Sequence, residues 1–418
     1  MSKYVIIGNG ISSIGVIEGI RSVDKKGSIT LIAKEKHMTY ARPLISYYLE
    51  GKTTLNKMKY RTKSFYTKNN VEVLLDTEVT KIDKESKKVS FKSNGKRGSR
   101  SFDKLCICTG STPFVPPFKG LDTLENKHCF MTLDDTLGLE KAINKNSKVL
   151  IIGAGLIGLK CAEGLAERVK SITVCDLADR VLSSILDNVP AKMMQDVLEE
   201  QGIEFMLSNS VSEFDGNTAT MNDGSKVEFD VLVLAVGVKA NTSLASDIGC
   251  KVNRGILVDD HCMTSVKNIY ATGDCSEGYD LSLGDHRVLA ILPNAYLQGE
   301  CAGKNMAGED FSFTNGIPMN SIGFFGLHSI SAGSYPTKEQ GATVFDETTP
   351  TSIKRFFVKD GKLVGYMFVG DVDRAGIFTS LIREETPLDS IDFDALRETT
   401  SLGAFDKNAR ENKLASRV

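Results

Sequence analysis

The sequence predicts an α/β chain of two repeated, Rossmann-like units, each a parallel sheet wound with helices, followed by a smaller α+β piece. Three observations carry this expectation. Two glycine-rich motifs, GNGISSIG over 8–15 and GAGLIG over 153–158, each follow a β-branched run and open an apolar, helix-like stretch. The order of elements after the first motif recurs after the second. From about residue 313 the pattern changes to strands joined by tight turns.

The strand–glycine–helix context separates these motifs from chance matches. Tyr4–Ile7 and Val149–Ile152 are the strands. The first glycine makes the tight turn, the second lets backbone approach a pyrophosphate, and the helix N-terminus supplies free N–H groups and positive dipole. A carboxylate to accept ribose hydroxyls belongs at the end of the next strand. Ser28–Ala33 followed by Glu35, and Ser171–Cys175 followed by Asp176, provide one in each unit. One fingerprint points to one dinucleotide; two point to electrons passing from one to the other.

Each unit continues through short alternating strands and turn signals. In the first these are Val71–Leu75, Glu78–Ile82 and Lys88–Phe91, with Asn94-Gly95; in the second, Val211–Phe214 and Ala219–Met221, with Asp215-Gly216 and Asp223-Gly224. Each closes on an apolar strand ending in glycine, Leu105–Gly110 and Val231–Gly237, where cofactors lie in open α/β sheets. A further strand, Asn268–Asp274, precedes a helix over Leu292–Ala307. Beyond it, Ser329–Tyr335, Ile353–Val358 and Lys362–Val369 read as strands, and Ala375–Arg383 and Phe393–Thr399 as helices. The last dozen residues are polar and read as disordered or as lying against a neighbour.

Composition fits a globular protein: 41% hydrophobic and 25% charged over 418 residues. The first strand begins by residue 4, which leaves no room for a signal peptide, and no apolar run reaches the roughly 18 residues of a spanning helix. No membrane or nucleic-acid role is expected. The nine cysteines form no CxxC or CxxxxC pair, which points to a reduced, cytoplasmic protein. Cys106 and Cys108 read as small core residues, Cys275 as packing with a pKa lowered if it starts a helix, and no metal site is expected. Charge is uneven. Residues 1–104 carry 22 Lys and Arg against 10 Asp and Glu, a balance of +12, and the remainder carries 29 against 43, a balance of −14. The excess, in Lys52–Lys68 and Lys81–Lys104, reads as a solvated face or as a docking surface for an acidic partner.

The ordered signatures YVIIGNG, YARPLISYYLEGK (Tyr40–Lys52), CTGSTP, VLIIGAGLIGL, ADRVL, AVGVKAN, IYATGDC and LQGECAGKNMAG resemble the FAD-dependent pyridine nucleotide-disulfide oxidoreductase superfamily. The resemblance spans nearly the whole chain and is nearest to the branch of rubredoxin and ferredoxin reductases and CO dehydrogenase-associated flavoproteins. It implies a glutathione reductase-like plan with the second unit inserted in the first. FAD would then be held by 1–112 with 242–312, NAD(H) by 113–241, and 313–418 would form an interface domain supporting a homodimer. It further implies FAD contacts from Gly8, Gly10, Ile11, Ser12, Glu35, Arg42, Pro43, Val79, Thr109, Gly110 and Asp274, the last toward a ribityl hydroxyl or a water at the pyrophosphate. Gly153, Gly155, Ile157, Gly158, Asp176 and Gly237 would hold the nicotinamide nucleotide. Asp176 favours NADH over NADPH, although Arg180 lies close by in sequence. Phe324, Phe325 and Leu327 are candidates for an apolar flavin wall, and His37 and His328 for positioning or packing.

Three departures from that pattern matter. Ser13 takes the third small-residue position of the first fingerprint. Lys160 stands where relatives commonly carry a glutamate near the flavin and nicotinamide. There it would tune the flavin, pair with Glu163, or sit as a surface lysine. Finally, where relatives carry a redox thiol, this chain reads Tyr40–Leu49 without a cysteine. The implied activity is therefore electron transfer from NADH through FAD to a small, acidic iron–sulfur carrier such as rubredoxin or ferredoxin. The alternatives are a peroxide-forming NADH oxidase or diaphorase, and a flavoprotein subunit of a larger redox complex.

Overall fold

A computed structural model describes residues 1–399, 402–408, 410 and 411. The chain divides into two compact units. The first comprises Met1–Ser184, Leu198–Tyr279 and His286–Thr314, and the second Ile185–Val197, Asp280–Asp285 and Asn315–Val418.

The first unit contains two five-stranded, all-parallel sheets of the same design. One runs Val71–Leu74, Ser28–Ile32, Lys3–Ile7, Lys104–Ile107, Ile269–Ala271; the other runs Ile203–Met206, Ser171–Cys175, Lys148–Ile152, Val231–Leu234, Lys127–Cys129. In both, the strand that feeds a glycine motif is central and buried over its last four residues, as expected for Val/Ile-rich strands covered on both faces. The fifth strands differ in origin. Lys127–Cys129 comes just before the second sheet's centre, whereas Ile269–Ala271 joins the first sheet only after the second is complete.

Each sheet carries a three-stranded antiparallel appendage. Thr77–Asp83, Lys88–Ser93 and Lys96–Ser101 form the first, turning at Asn94-Gly95 as the sequence predicts; Val211–Asp215, Thr218–Met221 and Lys226–Glu228 form the second. Ser111–Pro113 and Val238–Ala240 pair antiparallel.

Two helices set the first site. Ile11–Val23 follows the first fingerprint, and Leu292–Ala307 crosses it at backbone contact. A Cβ on Gly299 would stand 2.1 Å from Ser12 O, so only glycine allows this approach. On one face of the first sheet Tyr4, Ile6, Ile14, Ile17, Leu31 and Ala302 form one core; Val5, Ile7, Ile82, Phe102, Leu105 and Ile269 form another.

The second unit has a five-stranded antiparallel sheet, Met319–Phe324, Leu327–Gly333, Lys362–Val369, Ser352–Lys359, Thr343–Thr349, with helices Gly376–Arg383 and Phe393–Thr399. Phe356, Tyr366, Phe368 and Phe378 fill its core. The strand expected over 329–335 lies two residues earlier, at Leu327–Gly333. Of the polar tail, residues 407, 408, 410 and 411 are helical, and the rest lies outside the described residues. No described helix is long and apolar enough to cross a membrane.

Candidate functional site

The two fingerprints have the same backbone. Gly8 and Gly153 sit at φ +112° and +113°, and a Cβ there would stand 2.0 Å from Cys108 O and 2.3 Å from Ala235 O, the residues just past the neighbouring strands. Gly10 and Gly155 are the N-caps of Ile11–Val23 and Leu156–Leu165; neither helix has a side-chain cap. A Cβ on either glycine would meet nothing within 4 Å. Two helices of 13 and 10 residues thus present unblocked N–H groups to open space, which is what a pyrophosphate requires. Ile11 and Ser12 begin the first helix, and Leu156 and Ile157 the second. At the third position Gly158 packs on Gly153 O, whereas Ser13 is fully buried and donates to Gly10 O at 2.7 Å.

Around the first fingerprint a charged cluster forms. Glu35 accepts from Arg42 Nη2 at 2.7 Å and from Tyr40 OH at 2.9 Å. The Tyr40 oxygen accepts from Leu133 N, and burial pushes its phenol pKa up. Each Glu35 oxygen keeps a second lone pair for a ribose hydroxyl. Pro43 caps the short helix Leu44–Leu49. On the other side, Thr109 and Gly110 are tied to Asn241 by three hydrogen bonds: Thr109 Oγ1 to Asn241 O, Asn241 Nδ2 to Thr109 O, and Asn241 N to Gly110 O. Asp274 accepts from Ser111 Oγ at 3.0 Å. Burial raises its carboxyl pKa, and the Ser111 hydroxyl and the Arg42 guanidinium pull it back down. Gly273, at φ +74° and itself close against Ser12, precedes this acid and donates to Gln298 Oε1 at 2.9 Å. Val79 is the outlier, half-buried in the hairpin sheet and packed on the core.

At the second fingerprint Asp176 accepts from Ala154 N at 2.7 Å and Ala178 N at 2.8 Å, which pins the acid to the glycine loop. Arg180 pairs with Asp179 at 2.7 Å. Gly237, at φ +107°, accepts through its carbonyl from Phe114 N. Lys160 is no surface lysine. Its side chain is 16% exposed and forms an ion pair with Glu163, itself 6% exposed, and its Nζ lies 5.0 Å from the Tyr47 ring centre.

The cysteines begin at Cys106, so none lies in Leu44–Leu49 or anywhere before it. Cys106 and Cys108 are buried with sulfurs 3.6 Å apart. Cys275 packs as expected: it is fully buried, its sulfur lies 3.3 Å from both Ile107 O and Thr272 O, and burial raises its pKa to about 11, so the alternative of a lowered pKa does not apply. His37 contacts Asp134 at 3.0 Å. No local pattern in the sequence marks Tyr40, Ser111, Asn241 or Gln298 as site residues. Tyr40, Ser111 and Asn241 sit inside quoted motifs, and Gln298 inside the last of them; their contacts come from residues up to 163 positions away.

Comparison with known proteins agrees with this geometry. The family described as pyridine nucleotide-disulphide oxidoreductase matches residues 2–299, and the rubredoxin NAD+ reductase C-terminal domain matches 318–386. The chain belongs to the pyridine nucleotide-disulphide oxidoreductase family. Among its relatives, the epsilon subunit of NADH-dependent phenylglyoxylate dehydrogenase from Aromatoleum evansii is 30% identical, with 93% of each chain covered. An NADH-rubredoxin oxidoreductase from Clostridium acetobutylicum is 27% identical, covering 93% of this chain and 97% of that one. The solved structure of an NAD-dependent persulfide reductase from A. fulgidus superposes with a TM-score of 0.85 at 27% identity, covering 93% of this chain and 78% of the other.

Proposed function

We propose that this protein oxidises NADH, reduces FAD held at the first fingerprint, and delivers the electrons to a small iron–sulfur protein. The carrying observation is a pair of equivalent dinucleotide cradles in one compact unit, with no cysteine among the first 105 residues to take electrons onto a thiol. The NADH-rubredoxin oxidoreductase relative and the rubredoxin reductase C-terminal domain support the same acceptor class.

FAD, when bound, supplies the conversion of a two-electron hydride donor into single-electron output. The chain supplies binding and orientation. Residues 1–112 with 242–312 hold FAD: Gly8, Gly10, Ile11 and Ser12 receive its pyrophosphate, Glu35 its adenosine ribose, and Arg42, Pro43, Thr109, Gly110 and Asp274 the rest, with Val79 on the flank. Residues 113–241 hold NADH: Gly153, Gly155, Ile157 and Gly158 receive the pyrophosphate, Asp176 the ribose diol, and Gly237 backs the site. The Asp176 carboxylate repels a 2′-phosphate, so NADH outcompetes NADPH. Lys160, held between Tyr47 and Glu163, places positive charge beside the nicotinamide path.

The excess of basic residues in 1–104 suits an acidic carrier, residues 313–418 suit a homodimer contact, and nine free cysteines suit a reducing cytoplasm. Mixing the NADH-reduced protein with rubredoxin, ferredoxin and oxygen in a stopped-flow instrument tests the acceptor. Reoxidation by a carrier should outrun reoxidation by air; oxygen as the faster acceptor, with peroxide formed, overturns the proposal in favour of an oxidase. A second reading, the NADH-oxidising subunit of a larger complex, is favoured by the epsilon-subunit relative. Co-purification of the tagged protein with stoichiometric partners would support it.

A further inference from the structure

A lysine-rimmed cavity of about 380 Å³ opens on the first unit, away from both fingerprints. It lies between the turn 84–87 of the first hairpin and the segment 265–269, with buried Phe102 and Ile269 among its lining. Lys84, Lys87 and Lys267 line it, against a single carboxylate, Glu85. Lys104 stands behind them and donates to Asn268 Oδ1, another lining residue, at 2.6 Å.

The strands beside the cavity point away from it. Lys104 and Ile269 open two parallel strands whose far ends lead to Gly110 and Gly273. A four-residue strand spans about 13 Å, so the cavity faces the opposite edge of the sheet from the first fingerprint.

Positive charge is in excess there, three lining lysines against Glu85, with Asp103 acting on Lys104 behind them. Among the described residues neither Lys87 nor Lys267 has an ion-pair partner, and Lys84 spends one N–H on Ile248 O at 2.8 Å, leaving two. Burial, then the charges of Lys267 and Lys87, hold the Lys104 ammonium below the ordinary lysine range. Lys87 also sits at φ +49°, a hairpin position that glycine or asparagine fills without strain. Three ammonium groups from two stretches of chain more than 160 residues apart thus rim one concavity, with a fourth, Lys104, behind its Asn268 wall. Its volume is in the range of small-ligand sites, whereas a protein partner more often takes a flat patch.

We propose that this cavity binds a compact anion bearing two or more phosphoryl groups, at a site distinct from both dinucleotide cradles. Lysine ammoniums act as point charges toward phosphoryl oxygens, and an anion of one charge would leave most of the cluster unneutralised. The ligand is either an inorganic polyphosphate or the phosphate chain of a nucleotide.

Isothermal titration of the FAD-loaded protein in 0.15 M salt tests this, with inorganic tripolyphosphate, ATP and orthophosphate as probes. Tripolyphosphate should saturate one site per chain and orthophosphate should bind at least tenfold more weakly. Equal affinity for ATP assigns the site to the phosphate chain alone, and tighter ATP binding assigns it to a nucleotide. The double variant Lys87→Asn/Lys267→Gln, which keeps an easy left-handed residue at 87, should weaken tripolyphosphate at least tenfold. The rate of flavin bleaching by NADH should stay unchanged. A control variant in the other basic stretch, Lys57→Gln/Lys59→Gln, should bind as the parent does. The proposal fails if no probe saturates, if the two double variants lose affinity equally, or if NADH displaces the anion. It fails also if only an acidic protein binds.

Discussion

Single residues decide the site's chemistry through what they face. Asp274 is half-buried, and desolvation raises its carboxyl pKa. A carboxyl raised on folding contributes stability below its unfolded pKa and loses that contribution as pH rises through its folded pKa. Ionising this carboxyl therefore costs the FAD-free protein stability. Asp274→Asn keeps an acceptor for Ser111 and removes that cost, so the FAD-free variant should unfold at higher urea than the parent at pH 7. The gap should close toward pH 4; a gap that widens on acidification contradicts the assignment. Lys160 makes a separate prediction. Replacing it by glutamine removes a positive charge beside the second fingerprint, and the flavin midpoint potential, followed by dye-linked reduction, should fall. An unchanged potential would reduce Lys160 to a partner of Glu163 and Tyr47.

At the level of elements, the crossing of Ile11–Val23 over Leu292–Ala307 is the joint on which the first cradle depends. Gly299→Ala would force a methyl group into Ser12 O, at an overpacking cost of about 1–3 kcal/mol. Thermal unfolding should register that loss, and the purified variant should retain less flavin, because the displaced turn carries Ile11 and Ser12. Long elements of this kind were legible in the sequence: Leu292–Ala307 appears with the bounds its pattern predicts, and both central strands begin one residue before theirs. Other elements carry too little local signal. Lys127–Cys129 is a three-residue edge strand, and Leu44–Leu49 a six-residue helix that starts at a proline and contains two tyrosines. Thr343–Thr349 is an edge strand whose largely exposed face has no alternation to read. The site divides in the same way. Glycines and acids announce themselves because turns and ribose recognition demand those residue types. Ser111, Asn241 and Gln298 matter only through partners distant in the chain, which no local pattern reveals.

Across the whole molecule, net charge and chain order each have a consequence. If the basic N-terminal quarter recruits an acidic carrier, turnover with that carrier should drop several-fold between about 0.05 and 0.5 M salt, while ferricyanide reduction changes little. Equal salt dependence for both acceptors removes the recruiting role. The late arrival of Ile269–Ala271 concerns the protein's birth on the ribosome. The inserted sheet is drawn from one continuous stretch, 127–234, whereas its host waits for an edge strand more than 160 residues downstream of that strand's neighbour. Local contacts close sooner than distant ones. Nascent chains halted after residue 265 should therefore show a protease-resistant core from 127–234 while the N-terminal strands are still cut. On the proposed assignment, the part that receives the transient reductant then matures first, and the home of the permanent prosthetic group is completed afterwards.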